Sequence, residues 1–250
     1  MFDSNVHVRK NSLIHLRSIS LKIKNNGITK ALCMFDNEKN YRDRKVFFNN
    51  CLKTNNLIPV ATIRNAKYLR SEIQNITKTG FKFVKFHPRN LNIKFGNSFY
   101  IKAFKLIKKT KLNIMWCTFD GWPANKLSEV NQLEFLSKLS NIIKSNKIIL
   151  MHSGGPNILR YYEKFRFSEN IFFDLSYTIS HYENTSIEKD IIFLFKKFDR
   201  RIVSGSDFPA IKINKYHEVL SKLIKKSGIS NDKRRNILYS NLNKIYEKRR

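Results

Sequence analysis

Three imidazoles, one thiol and one carboxylate stand where short apolar runs of this sequence end. His7 closes Phe2-Asp-Ser-Asn-Val-His7, and His87 closes Lys82-Phe-Val-Lys-Phe-His87. Cys117 falls near the end of Leu112-Asn-Ile-Met-Trp-Cys-Thr118, His152 closes Lys147-Ile-Ile-Leu-Met-His152, and Asp207 follows Arg201-Ile-Val-Ser-Gly-Ser206. Imidazole, thiolate and carboxylate are the donors that hold zinc and similar divalent ions. They are also groups that carry protons in hydrolysis. Each has a plainer reading alone. Asp207 is a turn carboxylate between Gly205 and Pro209, and His7 or His152 is a hydrogen-bonded structural histidine. Cys117 is a small buried hydrophobe, and Lys85 lays its stem along an apolar wall. Their recurrence at one kind of position is what favours a site.

That position needs elements to supply it. The apolar runs read as strands over Met1–Val8, Lys30–Phe35, Leu57–Ile63, Lys82–His87, Leu112–Thr118, Lys147–His152, Ile171–Ser176 and Arg201–Ser206. Helical patterns lie between and after them, over Ser12–Asn26, Tyr41–Thr54, Ala66–Lys78, Ser98–Lys109, Ser128–Asn146, Ile187–Phe198, Lys215–Lys226 and Asp232–Glu247. The alternation predicts an α/β fold, a (β/α)8 TIM barrel formed as a single domain over residues 1–250. A doubly wound open sheet is the structural runner-up. In a barrel, strand parity turns Phe83, Lys85 and His87 inward, and likewise Asn5 with His7, and Asn113 with Met115 and Cys117. His152 then ends the inward set of Ile148 and Leu150, and Asp207 follows Val203 and Gly205. Barrels build their sites at the carboxyl ends of strands, where these residues would converge.

Composition bounds what such a site serves. The net charge is +29, from 48 Lys and Arg against 19 Asp and Glu. The cations are scattered over helix faces, as in Lys108-Lys109 and Lys225-Lys226, within a chain rich in Lys, Asn and Ile together. That is the pattern of compositional bias and a solvated surface rather than a phosphate track. No zinc-finger spacing, P-loop or RNA-binding aromatic motif accompanies it, so nucleic acid is not the expected partner. No apolar run approaches the ~20 residues that span a bilayer. Three separated cysteines and the absence of a basic-then-apolar leader lead to the expectation of reduced thiols and a cytoplasmic protein.

Several stretches together resemble the amidohydrolase superfamily, in its amidohydrolase-related branch of decarboxylases, lactonases and hydrolases. They are Phe2–His7, Gly80–Pro88, Ile148–Gly155, Phe173–Ser176 and Arg201–Pro209, with Asn236–Asn241 resembling the closing helix. The resemblance implies a mononuclear metal site built from a His-x-His pair, two further histidines and an aspartate. On that pattern His7, His152 and Asp207 match the metal ligands. Asn5 stands where the first histidine of the pair belongs, and Cys117 where the histidine of the fifth strand belongs. A divalent metal such as zinc, held by His7, His152, Cys117 and Asp207 in a degenerate set, is one expectation; a metal-independent lactonase is the other.

The expected activity is hydrolysis of a small, anionic, carboxylated or lactone substrate, with Asp207 activating water. Asn5, Lys85, His87, Arg89 and Trp122 are expected to bind the substrate, the cations holding its carboxylate and Trp122 covering the pocket. Decarboxylation by the same kind of barrel, or a catalytically silent barrel that binds or scaffolds, are the alternatives. The partner is a small molecule, and a homo-oligomer is compatible with the sequence.

Overall fold

The computed structural model describes residues 1–64, 67–91, 93–119 and 131–247. Eight parallel strands form one sheet in the order β1 to β8, with helices between successive strands, which is the (β/α)8 class. In chain order the elements begin with β1 (Phe2–Val8), α1 (Leu13–Asn25), β2 (Lys30–Phe35), α2 (Tyr41–Leu52), β3 (Leu57–Thr62) and α3 (Leu69–Thr79). Next come β4 (Phe83–Phe86), α4 (Pro88–Leu91), α5 (Ser98–Ile107), β5 (Asn113–Cys117), α6 (Gln132–Ile142), β6 (Ile148–Met151) and α7 (Ile158–Phe165). The chain continues through β7 (Ile171–Asp174), α8 (Thr178–His181), α9 (Ile187–Lys197), β8 (Ile202–Val203), α10 (Ile213–Ser227), α11 (Asn231–Arg235) and α12 (Asn241–Glu247).

The boundaries follow from local chemistry. Side-chain oxygens of Ser12, Asn40, Asn97 and Asn131 accept the free backbone N–H groups at the starts of α1, α2, α5 and α6. Pro88 opens α4, where a missing N–H costs nothing. The strands read as unbroken apolar runs because both faces of a parallel sheet are covered; every residue of β5 and β6 is buried.

Contacts divide the chain into two units, residues 1–60 with 173–250 and residues 61–172. In the first, β1 pairs with β2, and α1 and α2 pack Leu16, Ile23 and Phe47 against Val6, Val8, Cys33 and Phe35. The segment after β8 returns to β1: Ser4 N–H donates to Ser204 O at 2.9 Å and His7 N–H to Phe208 O at 2.7 Å. In the second unit β4, β5 and β6 pair in register, Phe83 with Asn113 and Ile114 with Ile148. Its core gathers on Trp116, whose ring lies 5.8 Å from Phe86, 5.1 Å from Tyr100 and 5.9 Å from Phe104.

Two expectations from the sequence are revised. The strand read over Arg201–Ser206 is confined to Ile202–Val203, because Arg201 belongs to a 3-10 turn. Past it, Ser206 N–H bonds to the Asp3 carboxylate at 2.9 Å rather than to a neighbouring backbone. The closing helix read over Asp232–Glu247 is broken into α11, a π-helical turn over Asn236–Ser240, and α12. The helix read over Ser128–Asn146 is α6, and residues 128–130 lie outside the described residues.

Candidate functional site

The first unit assembles Asn5, His7 and Asp207. Asn5 and His7 project from β1, and Asp207 follows β8 on a left-handed backbone, φ +58°. That conformation costs a non-glycine residue on the order of 1 kcal/mol or more, least for Asp and Asn, and it persists where surrounding contacts impose it. The contacts here are specific. Asn5 Nδ2 donates to Asp207 Oδ1 at 2.6 Å and to Ser176 Oγ at 2.9 Å. A carboxylate only accepts, so the amide must turn its NH2 toward Asp207. His7 Nε2 lies 3.9 Å from Asp207 Oδ1, while His7 Nδ1 is held 2.6 Å from Asp36 Oδ1. The His7 and Asp207 side chains keep 18% and 14% of their surface, enough to meet a small ligand.

Beneath them lies a fully buried polar layer. Asp174 accepts the hydroxyls of both Ser4 and Ser176, and Ser176 N–H at 3.1 Å. Asp3 Oδ1 accepts Asn5 N–H at 2.9 Å and Ser206 N–H at 2.9 Å, so one carboxylate pins the backbone beside two site residues. Burial pushes the Asp3 carboxyl up to about 7, hydrogen bonds from Ser206 and Asn5 oppose this, and the Asp174 charge adds to it. Gly205 makes the layer fit: a Cβ there would fall inside contact distance of Ser4 Oγ and 2.7 Å from Asp174 Oδ2.

The second unit gathers His87, Cys117 and His152. Cys117 ends β5 and is buried at 1% exposure. Burial pushes the thiol up, but the His87 charge, the hydrogen bonds from His152 and His87, and the His152 charge outweigh it. The thiol is held well below its ordinary value. His152 begins a run of left-handed residues, with φ +64° at His152, +48° at Ser153, +80° at Gly154 and +54° at Gly155. Thr118 secures this turn: its hydroxyl donates to Met151 O at 2.6 Å and accepts Gly154 N–H at 2.7 Å. Gly154 is obligatory, since a Cβ would strike the Tyr161 ring. Arg89 lies 4.7 Å over the Phe119 ring with Nη2 at 3.4 Å from His87 Nε2, and Phe119 meets His152 edge-on at 6.0 Å. Arg89 Nε and His87 Nδ1 are buried without a hydrogen-bond partner. Lys85, on β4, is buried at 2% exposure. Trp122 lies outside the described residues.

The metal expectation can be tested on these donors. Among the described residues no group of three His, Cys, Asp or Glu side chains is arranged to hold an ion. Among the described residues of the first unit, His7 Nε2 faces Asp207 while His7 Nδ1 is taken by Asp36, and Asn5 offers its NH2, which cannot ligate. A catalytic zinc keeps about three protein donors, so these two do not make the expected site.

Four residues of the site were not singled out from sequence. Asp36 directly follows β2 and obeys the same strand-end rule that pointed to Asp207, so it was open to detection. Ser176 and Asp174 end the run Phe173–Ser176 and were read only as family-like. Asp3 sits inside the first motif, and nothing in a linear sequence marks it as buried beside a carboxylate 171 positions away.

No family model matches the chain, and no curated protein does. Solved structures do. An uncharacterised TIM-barrel protein from Bordetella bronchiseptica is 13% identical with a TM-score of 0.77, each chain being covered over 98%. A probable 2-pyrone-4,6-dicarboxylic acid hydrolase from Acinetobacter baumannii, with citric acid bound, is 13% identical with a TM-score of 0.68, again over 98% of each chain. A 5-carboxyvanillate decarboxylase from Novosphingobium aromaticivorans, complexed with manganese and 4-hydroxy-3-methoxy-5-nitrobenzoic acid, is 12% identical with a TM-score of 0.69, over 98% of this chain and 95% of that one. At such identities the likeness establishes the fold: the chain is a (β/α)8 barrel.

Proposed function

We propose that the chain is a hydrolase of the amidohydrolase-related kind, acting on a small carboxylated ester or lactone. The observation that carries this is Asp207, held on a left-handed backbone with Asn5 Nδ2 at 2.6 Å and His7 Nε2 at 3.9 Å. A carboxylate so placed accepts a proton from water as the water oxygen bonds to the substrate carbonyl carbon. Asn5 fixes the Asp207 oxygen it binds and leaves Oδ2 for the water. His7, turned by Asp36 through Nδ1, presents Nε2, from which a proton passes to the departing alkoxide as the C–O bond breaks. Transfer of the water proton from Asp207 to His7 resets the pair. Asp36 thus plays the part of an orienting carboxylate, as in other acid–base dyads.

The substrate class is supported by the company the fold keeps. Two of the similar structures carry names for reactions on carboxylated rings. The second of these names a decarboxylase, so the test must separate the two reactions. The purified protein is offered a panel of pyrone and other lactones, carboxylated phenyl esters and carboxylated phenols, with and without added zinc or manganese. Ring opening or ester cleavage without CO2 release is the expected outcome. CO2 release from the phenols alone would replace the hydrolase with a decarboxylase, and no turnover of any member would remove both.

A further inference from the structure

The helix layer of the second unit carries a groove that has no part in the reaction just described. It runs between α3 and α5. A cavity of about 860 Å³ along their first turns continues into one of about 430 Å³ farther along, with Arg70, Gln74 and Leu106 lining both. The floor is apolar, made by Leu69 and Ile73 from α3 and by Phe99 and Leu106 from α5. The rims are cationic, with Lys67, Arg70 and Lys78 on the α3 side and Lys102, Lys105 and Lys109 on the other. None of the described lining residues is acidic. From Lys67 to Lys111 the sequence has a single acid, Glu72, which is buried and accepts Arg64 N–H at 3.2 Å. On α10, by contrast, acids neutralise the lysines: Lys215 and Lys222 pair with Glu183 at 2.8 and 3.2 Å, and Lys226 with Glu188 at 2.8 Å. The groove thus concentrates positive charge around an apolar floor, and an acidic partner relieves the repulsion.

We infer that the groove between α3 and α5 docks an acidic amphipathic helix of a partner protein, its apolar stripe on the floor and its carboxylates on the two rims. The 11 residues of α3 make the groove about 16 Å long, which matches about three turns of a docked helix. Side-chain ridges of a third helix fit the furrow between two packed ones. A second copy of the chain is the wrong occupant, since each copy carries +29. Nucleic acid suits the groove less well. A phosphate backbone would leave the apolar floor uncovered. Tyr68, 59% exposed beside Lys67, is the one exposed ring among the described lining residues, where a single strand needs a series of them. The docking draws nothing from the role proposed for Asp207, and it is read by binding with no turnover, so either can fail alone.

The probe is a fluorescent helical peptide of about 15 residues, with Leu along one face and Glu on both flanks, titrated by anisotropy at about 150 mM salt. The wild type is expected to bind it with a Kd below about 50 μM, and Arg70→Glu with Lys102→Glu to weaken it at least about tenfold. Arg17→Glu with Lys45→Glu makes the same charge change at exposed positions of α1 and α2, and should alter Kd by less than about twofold. Replacing the Leu residues of the peptide by Gln should abolish binding. Hydrogen exchange on the wild-type complex, which needs no variant, should slow in residues 69–79 and 98–107. No binding at about 1 mM peptide, protection confined to other segments, or equal loss from the two charge-reversed pairs would overturn the proposal. Binding kept by the Gln peptide would overturn the docked helix and leave only a charged surface. Tighter binding of a single-stranded oligonucleotide of equal charge, lost in Arg70→Glu with Lys102→Glu, would put nucleic acid in its place.

Discussion

Replacing Asp3 by Asn tests the buried layer under the site. Asp3 is fully buried, and burial with the neighbouring Asp174 charge lifts its carboxyl from 3.8 to about 7. The sign follows from proton binding. Between those two values the folded chain holds the proton and the unfolded chain has lost it, so stability falls as pH rises. The loss is complete above about 7, and amounts to about 4 kcal/mol in all. Between pH 4.5 and pH 8.5 the share still to be lost is about 3 kcal/mol. Asn keeps an oxygen for the Asn5 and Ser206 N–H groups. Its NH2 takes the place of Asp3 Oδ2, which has no hydrogen-bond partner. That mismatch adds a penalty that does not vary with pH, so the diagnostic quantity is the slope. Urea denaturation of both proteins at pH 4.5, 6, 7.5 and 8.5 should show the variant gaining about 3 kcal/mol on the wild type over the series. Parallel curves would refute the argument, and would mean that Asp3 ionises in the folded chain as readily as in the unfolded one.

Gly205→Ala should destabilise the fold by about 2 kcal/mol or more in the same assay, since its Cβ would lie 2.7 Å from Asp174 Oδ2; a change under about 0.5 kcal/mol would show that the layer yields. Asp36→Asn should cut kcat by about 10- to 100-fold with little change in KM, because His7 loses the carboxylate 2.6 Å from Nδ1 that turns it. Asn5→His adds a ring nitrogen beside His7 and Asp207, and zinc affinity measured by chelator competition should rise at least about tenfold; unchanged affinity would show that Asn5 is not what limits the donor set.

The fold was largely legible because parallel strands buried on both faces leave continuous apolar runs, as in Lys147–His152 and Ile171–Ser176. Gly80 and Gly228, both left-handed, end α3 and α10 where the sequence suggested helix ends. The runs also mark where the candidate residues stand, since His7, His87, Cys117, His152 and Asp207 all end or follow strands in the structure. What stayed hidden was pairing. Nothing local says that Asn5 turns its NH2 to Asp207, or that Asp3 binds the backbone of residue 206. Strand β8 was read too long because side-chain bonds to Asp3 take over from the ladder, and periodicity cannot register that.

The most direct test of the proposed function is Asp207→Asn, which keeps the volume of the side chain and removes its basicity. With any substrate the wild type turns over, the variant should bind with a KM within a few-fold and lose about 10²–10⁴ in kcat. Turnover by Asp207→Asn at the wild-type rate would contradict the account, and would leave Asp207 as no more than the residue that turns the chain after β8.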